Sequence, residues 1–336
     1  MLRLLKLMFV LPLVALLIAG AFGVWWIDEP LRLAPGVTEQ KPLDVEIEPG
    51  QSARGIAEKL SFSGVQTPWV LLYGWFRLSG QSRDIKAGSY EIAPGTTPRR
   101  LLSKLVRGEQ AFRIITLLEG WNYRQVFDLV RATPDLTQDL DNLSSADIMA
   151  LIGYPGRHPE GRFFPDTYRV TKRANASSVL RQAAQAMDKR LTDAWAQRDS
   201  TVPLRSPEEA LILASIIEKE TGLESDRRRI GGVFSNRLRI GMRLQTDPAV
   251  IYGLGERFDG NLRRDDLLTD SPYNTYTRVG LPPTPIAMPG AASLRAAVQP
   301  GDTNAIYFVS RGDGSSQFSA TLEEHNAAVR RYILRR

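Results

Sequence analysis

The stretch that most constrains this 336-residue chain is SPEEALILASIIEKETG, residues 206–222. Its ends carry their own signals: Ser206 suits an N-cap, Pro207 the first helical position, and Glu209 the place from which a capping-box carboxylate reaches back. Gly222 is the expected stop. Between these ends, residues 210–217 are apolar apart from Ser215. A helix that is apolar on every face has no solvent side, so the chain must build layers around it and enclose it in a core.

That helix finishes on two carboxylates. Successive residues turn by ~100°, so Glu218 and Glu220 point to nearly opposite sides and are expected to do different things. Glu218 stacks over Leu211, Ala214 and Ser215, and Glu220 over Leu213, Ile216 and Ile217. The helix dipole disfavours a carboxylate in the last turn by ~0.3–1 kcal/mol, whereas an apolar pocket can shift a carboxyl by up to ~3–5 units. Burial would therefore dominate, and both effects favour the protonated form that a general acid needs. The competing reading is a solvated or ion-paired helix end, with Lys219, Arg227 and Arg228 as partners.

The N-terminus adds a second constraint. Arg3 and Lys6 precede an uncharged apolar run over residues 7–27, and Asp28 and Glu29 follow it. At 1.5 Å per residue the run reaches ~30 Å, enough to cross a bilayer. The positive-inside rule then places the N-terminus in the cytoplasm and the remainder outside, with Trp25 and Trp26 at the interface. A cleavable signal peptide, with Gly20, Ala21 and Gly23 near the cut, is the rival reading. With 43% hydrophobic and 24% charged residues the chain as a whole reads as globular, and its length suits two or more folded units. The chain has no Cys, which excludes disulfides and cysteine-ligated metals. A net charge of +6 favours anionic partners weakly. Lys and Arg are scattered among acids with no nucleic-acid motif, so no nucleic-acid partner is expected. His158 and His325 fall in no metal-ligand spacing, and neither a metal nor another cofactor is expected.

Beyond a linker over residues 28–43, an internal repeat organises the next segment. VEIEPGQSARGIAEKL at 45–60 is echoed by YEIAPGTTPRRLLSKL at 90–105, each running strand, Pro-Gly turn, helix, with Arg54 and Arg99 in equivalent places. ITLLEGWNYRQVFDLV at 115–130 is a looser third copy with Gly120 and Arg124 in register, and reuse of a simple unit accounts for it. The first copy resembles the LysM glycan-binding module through Gly50, Ser52, Ile56 and Ala57.

PEGRFFPDTYRVT at 159–171 reads as a strand lining a cleft, with Glu160, Asp166 and Tyr168 available to sugar hydroxyls, although its aromatics also suit a core. Residues 177–198 form an amphipathic scaffold helix. The polar-aromatic, Pro-rich stretch at 261–290 suits carbohydrate, because flat rings stack on pyranose faces while amides and hydroxyls bond the OH groups. AASLRAAVQP reads as a helix, AIYFVS as a buried strand, and the last helix is capped by Thr321 with Glu324.

Taken together, the apolar N-terminal run, EGRFFPDTY, ASIIEKETG, VFSNRL, RLQTDPAVIYGLG, SPYNTY, GLPPTPIAMPG and YFVSRGDGSSQFSATLEEHN resemble the YceG family over nearly the whole chain. The resemblance implies an α+β protein with a single N-terminal transmembrane helix, a small LysM-like βα subdomain and a larger mixed α/β catalytic domain. The expected division is an anchor at 1–27, a linker at 28–43, the LysM-like part at 44–110 and the catalytic part at 111–336. It implies a bacterial inner-membrane protein facing the periplasm that cuts MurNAc-β-1,4-GlcNAc bonds inside nascent peptidoglycan strands. Such lytic transglycosylation leaves 1,6-anhydroMurNAc ends and terminates strand growth, with a peptidoglycan synthase (penicillin-binding protein) complex as partner. The family's catalytic glutamate is the first in ASIIEKE, here Glu218. Glu220, Gln245, Asp247, Tyr273 and Asn274 are expected to orient sugars or support it, with structural bonding as the alternative for each. A muramidase that uses water, or a non-catalytic glycan-binding scaffold, would share most of these features.

Overall fold

The computed structural model describes Val14, Leu17, Ile18 and residues 20–334. Most of the run at 7–27 therefore lies outside the described residues; its described end is helical up to Trp26. Among the described residues no helix is long and apolar enough to cross a membrane.

The chain divides into two units, one running to Arg113 and reclaiming Thr171–Arg173, the other made of Ile114–Val170 and the chain from Ala174 onward. The first unit runs β1 (Leu43–Ile47), α1 (Ala53–Ser63), α2 (Trp69–Leu78), β2 (Gly88–Ile92) and α3 (Pro98–Arg107). β1 and β2 pair antiparallel, with Leu43 opposite Ile92 and Ile47 opposite Gly88. Alternation buries Val45, Ile47, Tyr90 and Ile92 against Leu60, Leu72, Phe76, Leu101 and Leu105 of the helices.

Apart from the first two residues of β3 and the last of β4, the second unit runs β3 (Phe112–Thr116), α4 (Tyr123–Ala132), α5 (Ser145–Leu151), β4 (Thr167–Thr171), α6 (Ala176–Ala196), α7 (Pro207–Glu220), α8 (Glu224–Arg239) and α9 (Asp247–Leu254). It continues through α10 (Arg264–Leu268), α11 (Ala291–Val298), β5 (Tyr307–Ser310), β6 (Ser316–Ser319) and α12 (Leu322–Tyr332). Its sheets are the pairs β3–β4 and β5–β6, so helices supply most of the core. The fold is α+β with small two-stranded sheets. β5 is half-buried rather than buried, because a two-stranded hairpin lacks a second layer to cover both faces.

All three copies of the strand–turn–helix unit are built alike. Gly50, Gly95 and Gly120 have φ of 80°, 79° and 76°, the left-handed turn that glycine adopts freely. Two residues later Ser52, Thr97 and Asn122 each cap a helix by accepting the N–H three residues on.

α7 is the buried helix read from sequence, with residues 210–217 all buried. Ser206 caps it by accepting the Glu209 N–H at 3.2 Å. Two details differ from expectation. The Glu209 carboxylate reaches the Arg205 N–H at 2.7 Å instead of closing a capping box on Ser206. The helix stops at extended Thr221 (φ −151°, ψ 136°), so Gly222 supplies no left-handed cap. α11 lies close against α8, where Gly231 leaves no room for a side chain: a Cβ there would be 2.4 Å from the Ala296 carbonyl oxygen.

Candidate active site

Buried Ser215 of α7 orders the site from below. Its hydroxyl donates to the Ile212 carbonyl at 2.7 Å and accepts the Ile286 N–H at 3.0 Å, fixing the loop that leads to Gly290. Met288 in that loop accepts the Gly120 N–H at 2.9 Å and donates to the Trp121 carbonyl at 2.7 Å. Lys219 closes the arrangement by donating to the Gly120 carbonyl at 3.3 Å. The end of α7, the turn before α4 and the start of α11 thus meet at one place.

Glu218 sits there with its side chain 6% exposed. Arg227 Nη1 lies 3.3 and 3.2 Å from its two oxygens, and the Gly290 N–H donates to Oε2 at 2.9 Å. Arg227, itself buried, also donates to Ser293 at 2.8 Å. The structure places a guanidinium and an N–H on this carboxyl in place of the apolar pocket that the helix pattern suggests. The tertiary fold brings α8 and α11 across the helix end, which the pattern of α7 alone could not report.

A second carboxyl stands beside it. Exposed Glu119 lies against Gly290, whose Cβ, if present, would be 1.7 Å from Glu119 Oε1. Partial desolvation, then the Glu218 charge and more weakly that of Glu224, hold the Glu119 carboxyl above the usual range, with Arg227 opposing.

Gly120 and Lys219, the sequence neighbours of Glu119 and Glu218, line a cleft of 960 Å³, whose lining does not include the two carboxyls themselves. Tyr123, His158, Tyr252 and Tyr273 supply aromatic walls. Tyr123 meets the His158 ring edge-on at 5.8 Å, and Tyr252 meets Tyr273 at 5.0 Å. Glu160 lies fully buried in the cleft wall and accepts the Tyr123 N–H at 3.2 Å. Burial pushes its carboxyl up to about 7, against the pull of the Tyr252 hydroxyl and backbone N–H groups.

The other residues expected from sequence divide among different tasks. Glu220 points away from Glu218, toward Thr246, Asp247 and Arg237, and burial pushes it up to about 7. Gln245 is exposed with φ 49°, its N–H donating to the Thr275 carbonyl at 3.1 Å. Exposed Asp247 accepts the Tyr276 hydroxyl. Tyr273 lines the cleft, and its hydroxyl bonds that of Thr284 at 2.9 Å. Asn274 is buried and folds its own loop: its amide donates to the carbonyls of Asp266, Leu267 and Thr269, and its oxygen accepts the Tyr276 N–H. Asp166 accepts the neighbouring Thr167 N–H at 2.7 Å, and Tyr168 donates to the Phe164 carbonyl at 2.6 Å. Asn236 and Arg237 of VFSNRL are also structural, bonding the carbonyls of Thr303, Ala305, Ile306 and Leu244. Among the described residues no cluster of three His, Asp or Glu side chains could hold a metal ion.

Glu119 has no place among the residues expected from sequence. The one signal that marks it is the repeat: Pro49 and Pro94 precede the turn glycine in the first two copies, and Glu119 stands there in the third.

The sequence model of the YceG-like family matches residues 45–331, a span that takes in most of both units and every residue of this site. The chain belongs to the YceG-like family. Similar proteins include the endolytic murein transglycosylase of Bacillus subtilis (strain 168), 32% identical over 314 residues, covering 87% of this chain and 85% of that protein. The endolytic murein transglycosylase of Streptococcus pneumoniae serotype 2 (strain D39 / NCTC 7466) is 27% identical over 96% of this chain. This chain spans 64% of that protein's length. A crystal structure at 2.6 Å of a yceG-like protein from Listeria monocytogenes shares 30% identity and a TM-score of 0.53, covering 84% of this chain and 98% of that one.

Proposed function

We propose that this chain is an endolytic lytic transglycosylase that cuts MurNAc-β-1,4-GlcNAc bonds within peptidoglycan strands and leaves 1,6-anhydroMurNAc ends. The observation that carries the reading is the firmly held Glu218 carboxyl at the end of a helix whose next residue, Lys219, lines an aromatic cleft large enough for sugar rings. Relatives across the length of the chain that bear the name endolytic murein transglycosylase support it.

The chemistry follows from proton bookkeeping. The glycosidic oxygen must gain a proton as an oxocarbenium-like state develops at C1, and the muramoyl 6-hydroxyl must lose one as it closes on that carbon. Intramolecular attack needs neither a positioned water nor a nucleophilic carboxylate, so the site has only proton transfers to serve, and Glu218 is the first candidate to serve them. Tyr123, Tyr252 and Tyr273 offer stacking faces for the sugars. We read residues 7–27 as the anchor in a bacterial inner membrane, with the folded part in the periplasm, on the strength of Arg3 and Lys6 before an uncharged run. The first unit, whose sequence resembles LysM, is read as a glycan-holding module, and a peptidoglycan synthase is the natural supplier of nascent strands.

Mass spectrometry of uncrosslinked strands incubated with the full chain tests this. The expected products are internal fragments ending in anhydromuramic acid, and Glu218→Gln should lower their release by roughly 10²–10⁴-fold. Reducing ends would instead mark a hydrolase, and intact strands with both proteins a binding scaffold.

A further inference from the structure

We propose that Glu119 is a second catalytic carboxyl of this site, dividing the two proton transfers with Glu218. The proposal rests on the lytic reading above and refines how that site works.

Four observations converge on it. First, the turn that carries Glu119 is the third copy of a unit whose other copies place Pro49 and Pro94 at this position. Proline pre-sets the backbone of such a turn, so a glutamate here forgoes local rigidity and needs another reason. Second, that rigidity is restored from outside: Gly120 and Trp121 are bonded to Met288, and Gly120 to Lys219. The backbone beneath Glu119 is thus tied to the loop that supplies Gly290. Third, both carboxyls converge on Gly290, whose N–H holds Glu218 and whose missing side chain leaves the space Glu119 occupies. Fourth, the two differ in access. Glu119 is exposed, whereas Glu218 is 6% exposed and held by a buried guanidinium.

Two carboxyls in unlike surroundings are the arrangement that separates an acid from a base. Glu119, the exposed one of the two and the one substrate can reach, is the donor, and partial desolvation and the neighbouring charge raise its carboxyl in the same sense. It passes its proton to the glycosidic oxygen as the C1–O bond breaks; the bonding pair stays on that oxygen, which leaves as the GlcNAc hydroxyl. The muramoyl O6 bonds C1, and its proton passes to Glu218. One proton leaves the pair and one enters it, and transfer from Glu218 back to Glu119 restores the starting state. No water, oxidant or metal enters the balance.

The test is the rate of anhydro-end release by the full chain on uncrosslinked strands, measured from pH 5 to 9. The wild type should slow as pH rises through the raised Glu119 range, because the donor form is lost. Glu119→Gln should slow the reaction by roughly 10²-fold and abolish that alkaline decline, while Glu119→Asp should keep the decline at a reduced rate. Gly290→Ala keeps both carboxyls and the Gly290 N–H but pushes Glu119 aside, so it should slow the wild type and add nothing to Glu119→Gln. Purely structural damage would lower rates without moving the pH profile. A Glu119→Gln enzyme with at least half the wild-type rate and an unchanged alkaline decline overturns the proposal. If Glu218→Gln is inactive in that same assay, the lytic reading stands and Glu119 alone is retired; if the wild type yields no anhydro ends, both fall.

Discussion

Arg227 is the cation on which the candidate site depends. It and Glu218 are 7% and 6% exposed, so neither can be completed by water if the other is removed. Breaking a buried pair from one side costs about 3–5 kcal/mol, far more than the pair contributes as a whole. Arg227→Met should therefore lower the urea midpoint sharply, and adding Glu218→Gln to it should restore part of the loss; equal midpoints for wild type and Arg227→Met would refute this. Glu160 makes the opposite kind of prediction. Its carboxyl is raised from 4.5 to about 7 in the fold, so the folded state binds a proton that the unfolded chain has released over that interval. Stability from this group is fully present below about pH 4.5 and is lost as pH rises through about 7. Glu220 is raised in the same sense. The melting temperature should therefore fall between pH 5 and 8, and Glu160→Gln should fall less, because its amide never ionises. A variant with the same pH slope as the wild type would show that Glu160 does not titrate in this window.

At the scale of elements, α8 shows how tightly helices must approach to assemble the site. Gly231 and Gly232 face carbonyls of Ala296 and Gly301, where added Cβ atoms would lie at 2.4 and 2.5 Å. A methyl at Gly231 meets backbone, which cannot swing aside as a side chain can, so α11 must shift. Overpacking of this kind costs about 1–3 kcal/mol. Gly231→Ala should lower the urea midpoint and also weaken activity, since α11 carries Ser293 and follows Gly290. By contrast, the nearest atoms that a methyl at Gly290 would meet belong to the Glu119 side chain, which can swing aside, so Gly290→Ala should leave the midpoint near wild type.

For the molecule as a whole, each unit has its own core. The cluster around Phe76 contains residues of the first unit, and the clusters around α7 and α6 contain residues of the second. Truncating fully buried Phe76 to Ala removes about 3–5 kcal/mol from the first core. Hydrogen exchange should then show β1 and β2 amides losing protection while α7 amides keep theirs. Loss of protection in α7 as well would mean that the two cores unfold as one.

Local chemistry carried far in this chain. The cap, the apolar faces and the length of α7 were legible because they depend on residues one to four positions apart, and so were the repeated turns, the Thr321 cap and the opposite directions of Glu218 and Glu220. The α+β class and family membership followed from motifs spread along the sequence. What the sequence left open is what touches what across large separations. Arg227 could be named beside Glu218, but only the packing of α8 and α11 on α7 decides that it meets a buried carboxyl together with Gly290. Asn274 sits in a stretch that suits sugar binding, yet its amide is consumed by carbonyls that the loop turns inward. Glu119 is 99 residues from Glu218, and no periodicity links them. Position along the chain sets side-chain direction and capping, which are local energies. Which carboxyls share a glycine, and which one water can reach, is settled by tertiary contacts that exist only once the core has closed.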